Sequence, residues 1–152
     1  MAEGILKKLI LDAAHTKDEI LPIDVTSAGI HAVDGFPAAD HAREAAAGHG
    51  IDLLSHRSKT LTGRLIRQAN LILAMEKVQA DHIRAQWPGQ ENVHELRRYG
   101  RKEHSLPGDS GIEDPIGGSL EDYRRTFDEL REEIVRIAGF LFPLIRDTYG
   151  PA

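Results

Sequence analysis

The 152-residue chain contains no cysteine. Disulfides, thiolate metal sites and any thiol nucleophile within these residues are thereby excluded. No apolar run approaches the length of a membrane-spanning helix, and the mean hydropathy is −0.35. An integral helical membrane protein is excluded on that ground. An excess of basic residues is lacking too. The formal net charge is −5 and the isoelectric point is near 5.9, which argues against a general nucleic-acid binder. The opening Met1-Ala-Glu-Gly-Ile-Leu6 has no basic stretch leading into an apolar run and a cleavage site, so no secretory signal is expected and a cytoplasmic protein is the default. What is present is 41% hydrophobic and 28% charged residues. That is the composition and length of one globular domain with a proper core. No internal repeat, low-complexity tract or domain boundary is visible.

Ile5, Leu6, Leu9, Ile10 and Ala13 recur at helical spacing, with Lys7, Lys8 and Asp12 on the other face. This first helix has Glu3 in its first turn but no capping residue before it. Ile23 to Ser27 reads as a short strand ended by Ala28-Gly29. After a loop over 30–37, Pro37 is placed to open a helix through Ala38–Ala47, stopped by Gly48-His49-Gly50. Residues 51–57 connect to a short helix over 61–69. Leu71-Ile-Leu-Ala-Met75 is a continuous apolar run, suited to a strand buried on both faces of a parallel sheet. A charged helix over 77–86 ends at Trp87-Pro88-Gly89, and 93–96 is expected to form a last strand. Residues 99–118 hold several Gly and Pro without a period and form a long loop, a place where function concentrates. Ser119, with Asp122 three residues on, caps a final helix. Its stripe of Tyr123, Phe127, Leu130, Ile134, Ile137, Leu141 and Leu144 faces the core. Helices and strands alternating in this order point to an α/β domain with a mainly parallel sheet.

Several motifs carry two readings each. Asp114-Pro115, on a glycine-rich loop before a helix N-terminus, is placed to act as a general acid or base, the proline stiffening the backbone behind it. The same residues also make an ordinary turn into a capped helix. Gly117-Gly118-Ser119 offers free N–H groups to an anion, or is plain loop chemistry. None of the eight histidines pairs with a second ligand in a zinc-binding pattern. His56, between two elements, is the best placed for a structural hydrogen bond. The basic cluster Arg97-Arg98-Tyr99-Gly100-Arg101-Lys102 either meets an acidic partner or is a solvated loop.

Four segments, in order, resemble the low-molecular-weight protein-tyrosine-phosphatase family, and in particular its bacterial branch that includes protein-arginine phosphatases. Met1–Leu6 is similar to the start of the family's first helix. Thr26-Ser-Ala-Gly29 is similar to the end of its second strand, and Asn70–Glu76 to the strand that follows. Asp114-Pro-Ile-Gly-Gly-Ser119, with Tyr123, Thr126 and Glu129-Leu130, is similar to its general-acid loop and last helix. The resemblance covers roughly residues 1 to 145 and implies a three-layer α/β/α domain with a short parallel sheet, of the phosphotyrosine protein phosphatase I-like kind.

The family carries its nucleophile in a Cys-(five residues)-Arg loop just ahead of the Met-Ala-Glu segment. The expectation is therefore a single phosphatase-like domain over 1–152 that is truncated at its N-terminus and misses its first strand. A start codon read too late, a deliberately shortened chain and a natural truncation are the three explanations. The resemblance implies a phosphoprotein phosphatase acting on phosphotyrosine or phosphoarginine, with Asp114 as general acid and Ser27 and His56 bracing the phosphate loop. Val33, Phe36 and Ile116 are implied to line the substrate cleft, and their aliphatic bias implies a narrower cleft than one built for a phenyl ring. No cofactor and no metal are implied. The implied partner is a phosphorylated protein or a small phosphomonoester, with neither nucleic acid nor membrane. The oligomeric state is left open. The related arsenate reductases need further cysteines, which this chain lacks. The alternative function is a non-catalytic remnant that acts as a binding module.

Overall fold

A computed structural model describes residues 1–17, 22–102 and 111–149. The chain forms two units, and neither is continuous in sequence. The first comprises Met1–Ser27, Pro37–His56 and Pro115–Ala152, and the second Ala28–Phe36 and Arg57–Asp114.

The first unit is helical. Helix α1 spans Ala2–Lys17, α2 spans Asp40–Ala47 and the long α5 spans Leu120–Tyr149. Helix α5 is the organiser, because both α1 and α2 pack on it. Its stripe behaves as the spacing predicts over most of its length: Tyr123, Phe127, Leu130, Ile134 and Ile137 are buried. The stripe runs out at Leu144, which is 58% exposed. Helix α2 presents Ala42, Ala45 and Ala46, all buried, and side chains this small allow close approach to α5. Close approach also governs α1. A Cβ on Gly4 would lie 2.8 Å from Ile51 Cγ2 and 2.9 Å from Leu53 Cδ2, so only glycine lets the 51–53 segment lie against the helix. Ser119 and Asp122 cap α5 reciprocally. The Ser119 backbone N–H donates to Asp122 Oδ2 at 2.9 Å and the Asp122 N–H to Ser119 Oγ at 3.3 Å.

Two expectations are corrected in this unit. Helix α2 begins at Asp40 rather than beside Pro37. Residues 23–27 alternate in burial, with Ile23, Val25 and Ser27 half-buried and Asp24 and Thr26 exposed, yet they form no strand. The period-2 pattern is right. A ladder needs a neighbour, and among the described residues no strand pairs with this segment.

The second unit is a βαβ arrangement. Strand β1 (Ile72–Ala74) pairs in parallel with β2 (Val93–Glu95), in the register Ile72–Val93, Leu73–His94 and Ala74–Glu95. Helix α4 (Lys77–Gln86) makes the crossover. Ile66, Ala74, Ala80, Ile83 and Val93 form the core, with Leu61, Ile72 and Trp87 packed on it. Arg84 ties α4 to β2 by donating to the Val93 carbonyl at 2.7 Å. Helix α3 (Gly63–Gln68) is capped by Thr62, whose hydroxyl accepts from Leu65 N–H at 3.3 Å. The 71–75 run is less enclosed than expected: Ala74 is buried and the other four are half-buried. The Ile72 N–H donates to Asn92 O and the Leu96 N–H to Ala74 O. In a parallel ladder those bonds turn the N–H and C=O of Leu73 toward the opposite edge of β1.

Candidate active site

In the first unit Ser27 and His56 meet on one carboxylate, Glu3. One oxygen, Oε2, accepts from the Ser27 N–H at 2.9 Å and from the Ser27 hydroxyl at 2.5 Å. His56 Nδ1 lies 3.8 Å from the same oxygen, and Lys7 Nζ lies 2.6 Å from Oε1. The Glu3 side chain is 11% exposed. Burial pushes its pKa up, but the hydrogen bonds from Lys7 and Ser27 and the charges of Lys7 and His56 outweigh it and hold the carboxyl below its ordinary value. The first turn of α1 thus anchors the end of the 23–27 segment and the end of the 51–56 segment at one half-buried charge.

Asp114 is the last residue of the second unit, and Pro115 returns the chain to the first. The loop that carries Asp114 is fastened to the end of β1. The Ile112 N–H donates to the Met75 carbonyl at 2.9 Å, and the Ile112 side chain is buried. Gly111 lies against Glu76, where a Cβ would come within 3.2 Å of the Glu76 Cα. Met75 N–H in turn donates to Gln79 Oε1 at 3.0 Å. Asp114 itself is exposed, two residues beyond this anchor. Beyond the proline, Gly118 N–H donates to Pro115 O at 2.8 Å and Gly117 has φ +78°. This is a type II turn, which requires glycine at its third position. Ile116 stands at the corner, 79% exposed. The turn leads straight into the Ser119 cap, so both readings of this motif share one geometry.

Val33 and Phe36 belong to the second unit, on a loop laid along residues 57–61. Ser58 joins them: its hydroxyl donates to Val33 O at 2.5 Å and accepts from Phe36 N–H at 3.0 Å. The Ser58 N–H donates to Phe36 O at 2.8 Å and the Gly35 N–H to Ser58 O at 2.9 Å. Thr60 continues the pairing. Its N–H donates to Asp34 Oδ1 at 2.5 Å and its hydroxyl to Ala32 O at 2.8 Å, and the Thr60 bonds hold the Asp34 carboxyl below its ordinary range. The Gly29 N–H donates to Lys59 O and the Leu61 N–H to Gly29 O, each at 2.9 Å. Among the described residues no group of three or more His, Asp or Glu is arranged to hold a metal ion, and no helix is long and apolar enough to cross a membrane.

Residues 1–141 match the family described as low molecular weight phosphotyrosine protein phosphatase. The chain belongs to that family. It is 36% identical over 124 residues (82% of this chain and 78% of the relative) to a probable low molecular weight protein-tyrosine-phosphatase, EpsP, of Ralstonia nicotianae. The solved YwlE arginine phosphatase from Geobacillus stearothermophilus superposes with a TM-score of 0.80 at 28% identity, covering 99% of this chain and 88% of that one. A YwlE mutant in which serine replaces cysteine, with a phosphorylated active-site serine, superposes with a TM-score of 0.77 at 33% identity. It covers 92% of this chain and 85% of that one. The likeness extends the α/β fold class read from the sequence to the fold of these phosphatases.

The family member described here owes the meeting of Ser27 and His56 to Glu3, a residue that motif reading passed over. One signal for it existed. A glutamate in the first turn of a helix that lacks a capping residue reads locally as a helix-end feature, and its partners lie 24 and 53 positions away.

Proposed function

We propose that these residues form most of a phosphoprotein phosphatase domain, and that a strand and a Cys-(five residues)-Arg loop preceding Met1 complete it. The observation that carries the proposal is the fastening of the Asp114-Pro115 loop to the end of β1 through Ile112 and Met75. Two others support it. Strand β1 turns Leu73's backbone groups toward an edge with no strand on it among the described residues, and 23–27 alternates in burial like a strand without a ladder. The EpsP relative of Ralstonia nicotianae is also longer than this chain, and the YwlE mutant carries its phosphoryl group on a serine standing in for cysteine.

In this reading the cysteine thiolate attacks phosphorus and the bond to the leaving oxygen or nitrogen breaks. Asp114 delivers its proton to that leaving atom. Asp114 then takes a proton from water as the water attacks the phosphocysteine, which releases inorganic phosphate and the thiolate. Loop N–H groups and the arginine hold the phosphoryl oxygens. Ser27 and His56, gathered on Glu3, brace that loop. Val33, Phe36 and Ile116 contact the substrate side chain, which is phosphotyrosine or phosphoarginine.

The test compares the 152-residue chain with the chain extended upstream through the cysteine loop, using a phosphotyrosine peptide and a phosphoarginine peptide. Turnover only in the extended protein supports the proposal, and the faster peptide names the substrate. Asp114→Asn in that protein is expected to lower kcat by about 10²–10⁴. A folded extended protein that hydrolyses neither peptide would sink the enzyme and leave a binding module.

A further inference from the structure

We infer that Gln79 is a positioning residue for Asp114, acting through the backbone of Met75. The inference rests on the phosphatase reading, in which Asp114 is the general acid.

Met75 follows the last residue of β1 and sits in the bend that leads into α4. Its two backbone groups are held by different segments, and neither bond belongs to the β1–β2 ladder. The N–H donates to Gln79 Oε1 at 3.0 Å, which closes the bend onto the first turn of α4. The carbonyl accepts from the Ile112 N–H at 2.9 Å, which fastens the loop two residues before Asp114. A hydrogen bond weakens steeply as its N–H···O angle bends, so the Met75 carbonyl holds Ile112 only while the bend keeps its shape. Gln79 supplies that constraint. Its amide is itself oriented: Nε2 lies 3.4 Å from Glu76 Oε2, which turns Oε1 toward Met75. Packing leaves no slack between bend and loop. A Cβ on Gly111 would lie 3.2 Å from Glu76 Cα and 3.3 Å from Met75 O, so a rotation of the 75–76 backbone passes into Gly111 and Ile112. Met75, Gln79 and the loop as far as Asp114 all belong to the second unit.

Gln79 is the third residue of α4, where a glutamine reaching back to a backbone N–H also serves as a helix cap. A cap stabilises the helix and does no more. A positioning residue also sets where the general acid stands, and a misplacement of about 1 Å can cost roughly 10²-fold in rate.

Two measurements on Gln79→Ala and Gly111→Ala separate these roles. On the 152-residue chain, amide hydrogen exchange followed by NMR compares Ile112 with Leu96, whose N–H donates to Ala74 O on the β2 side of β1 and serves as the internal control. Relative to Leu96, Ile112 should exchange about fivefold to tenfold faster in either variant. In the chain extended upstream through the cysteine loop, kcat/KM is read because it reports transfer to the cysteine and not the later hydrolysis. For phenyl phosphate, a poor leaving group that needs a proton, it should fall about tenfold to a hundredfold. For dinitrophenyl phosphate, whose leaving group needs none, it should fall less than about threefold. The swap Glu76→Gln/Gln79→Glu keeps an acceptor for the Met75 N–H and a donor–acceptor pair between positions 76 and 79, and should return both readouts to within about twofold of the parent. An Ile112 amide that keeps pace with Leu96 in Gln79→Ala would overturn the assignment, and so would an equal loss on the two esters, which a cap alone produces. An extended parent that is inert sinks the phosphatase reading and this role with it, whereas an active parent with either of those results sinks the role alone.

Discussion

Replacing Glu3 with alanine removes the acceptor on which two chain segments converge. The Ser27 N–H and hydroxyl lose a common carboxylate oxygen at 2.9 and 2.5 Å, in a half-buried setting. Hydrogen bonds to a charged acceptor contribute about 1.5–3 kcal/mol, and a buried donor left without a partner costs about 1–3 kcal/mol. Lys7 adds little, since its side chain is 54% exposed and exposed pairs yield under about 1 kcal/mol. The expected loss is about 2–3 kcal/mol, or roughly 5–10 °C in Tm for a chain of this size. Circular dichroism melts of the parent, Glu3→Ala and Lys7→Ala proteins measure it, with Lys7→Ala falling well short of Glu3→Ala. The pH dependence supplies a second check. The folded pKa of Glu3 lies below its ordinary value of 4.5. Its contribution is therefore complete above the unfolded value and is lost as pH falls through the depressed folded value. The gap between parent and variant should close on acidification. A loss below about 0.5 kcal/mol, or a gap unchanged from neutral pH to well below 4.5, would refute the claim that this carboxylate anchors the two segments.

Two further outcomes follow from the entry into α5. Ser119→Ala removes the hydroxyl that caps the helix and should cost about 1 kcal/mol in urea unfolding, a loss that Ser119→Thr largely avoids. Gly118→Ala places a Cβ 2.9 Å from Pro115 O and 3.1 Å from Asp122 Cβ. It should destabilise by about 1–3 kcal/mol and, in the extended protein, lower turnover along with Tm.

The elements that local chemistry determines were legible in the sequence. Helix α4 runs over 77–86 as expected, because Trp87-Pro88-Gly89 stops it and nothing within it opposes helix. The start of α5 was legible because the Ser119–Asp122 box is a contact three residues long. The strands were harder. Ile23–Ser27 shows the alternation of a strand, but a ladder depends on a second segment that no local pattern specifies. Leu144 continues the apolar period, yet burial requires an opposing surface, and α5 outruns it. Among the site residues, Asp114 stood out by its proline and glycines. Glu3 did not, because its role exists only where segments distant in sequence meet. Pro37 misled by a few residues: it precedes Asp40, whose carboxylate pairs with Arg43 in the first turn of α2.

The split of each unit across the sequence has a consequence for how the protein is made. Helices α1 and α2 emerge from the ribosome with apolar faces whose partner, α5, begins at Leu120. At roughly 5–20 residues per second, α1 waits on the order of 5–20 s before α5 is synthesised, and longer before it clears the exit tunnel. The second unit has its whole βαβ core in hand by Leu96 and is free to condense first. During synthesis α1 therefore keeps an apolar face uncovered over the time taken to make the second unit, and α5 is the helix that ends its exposure.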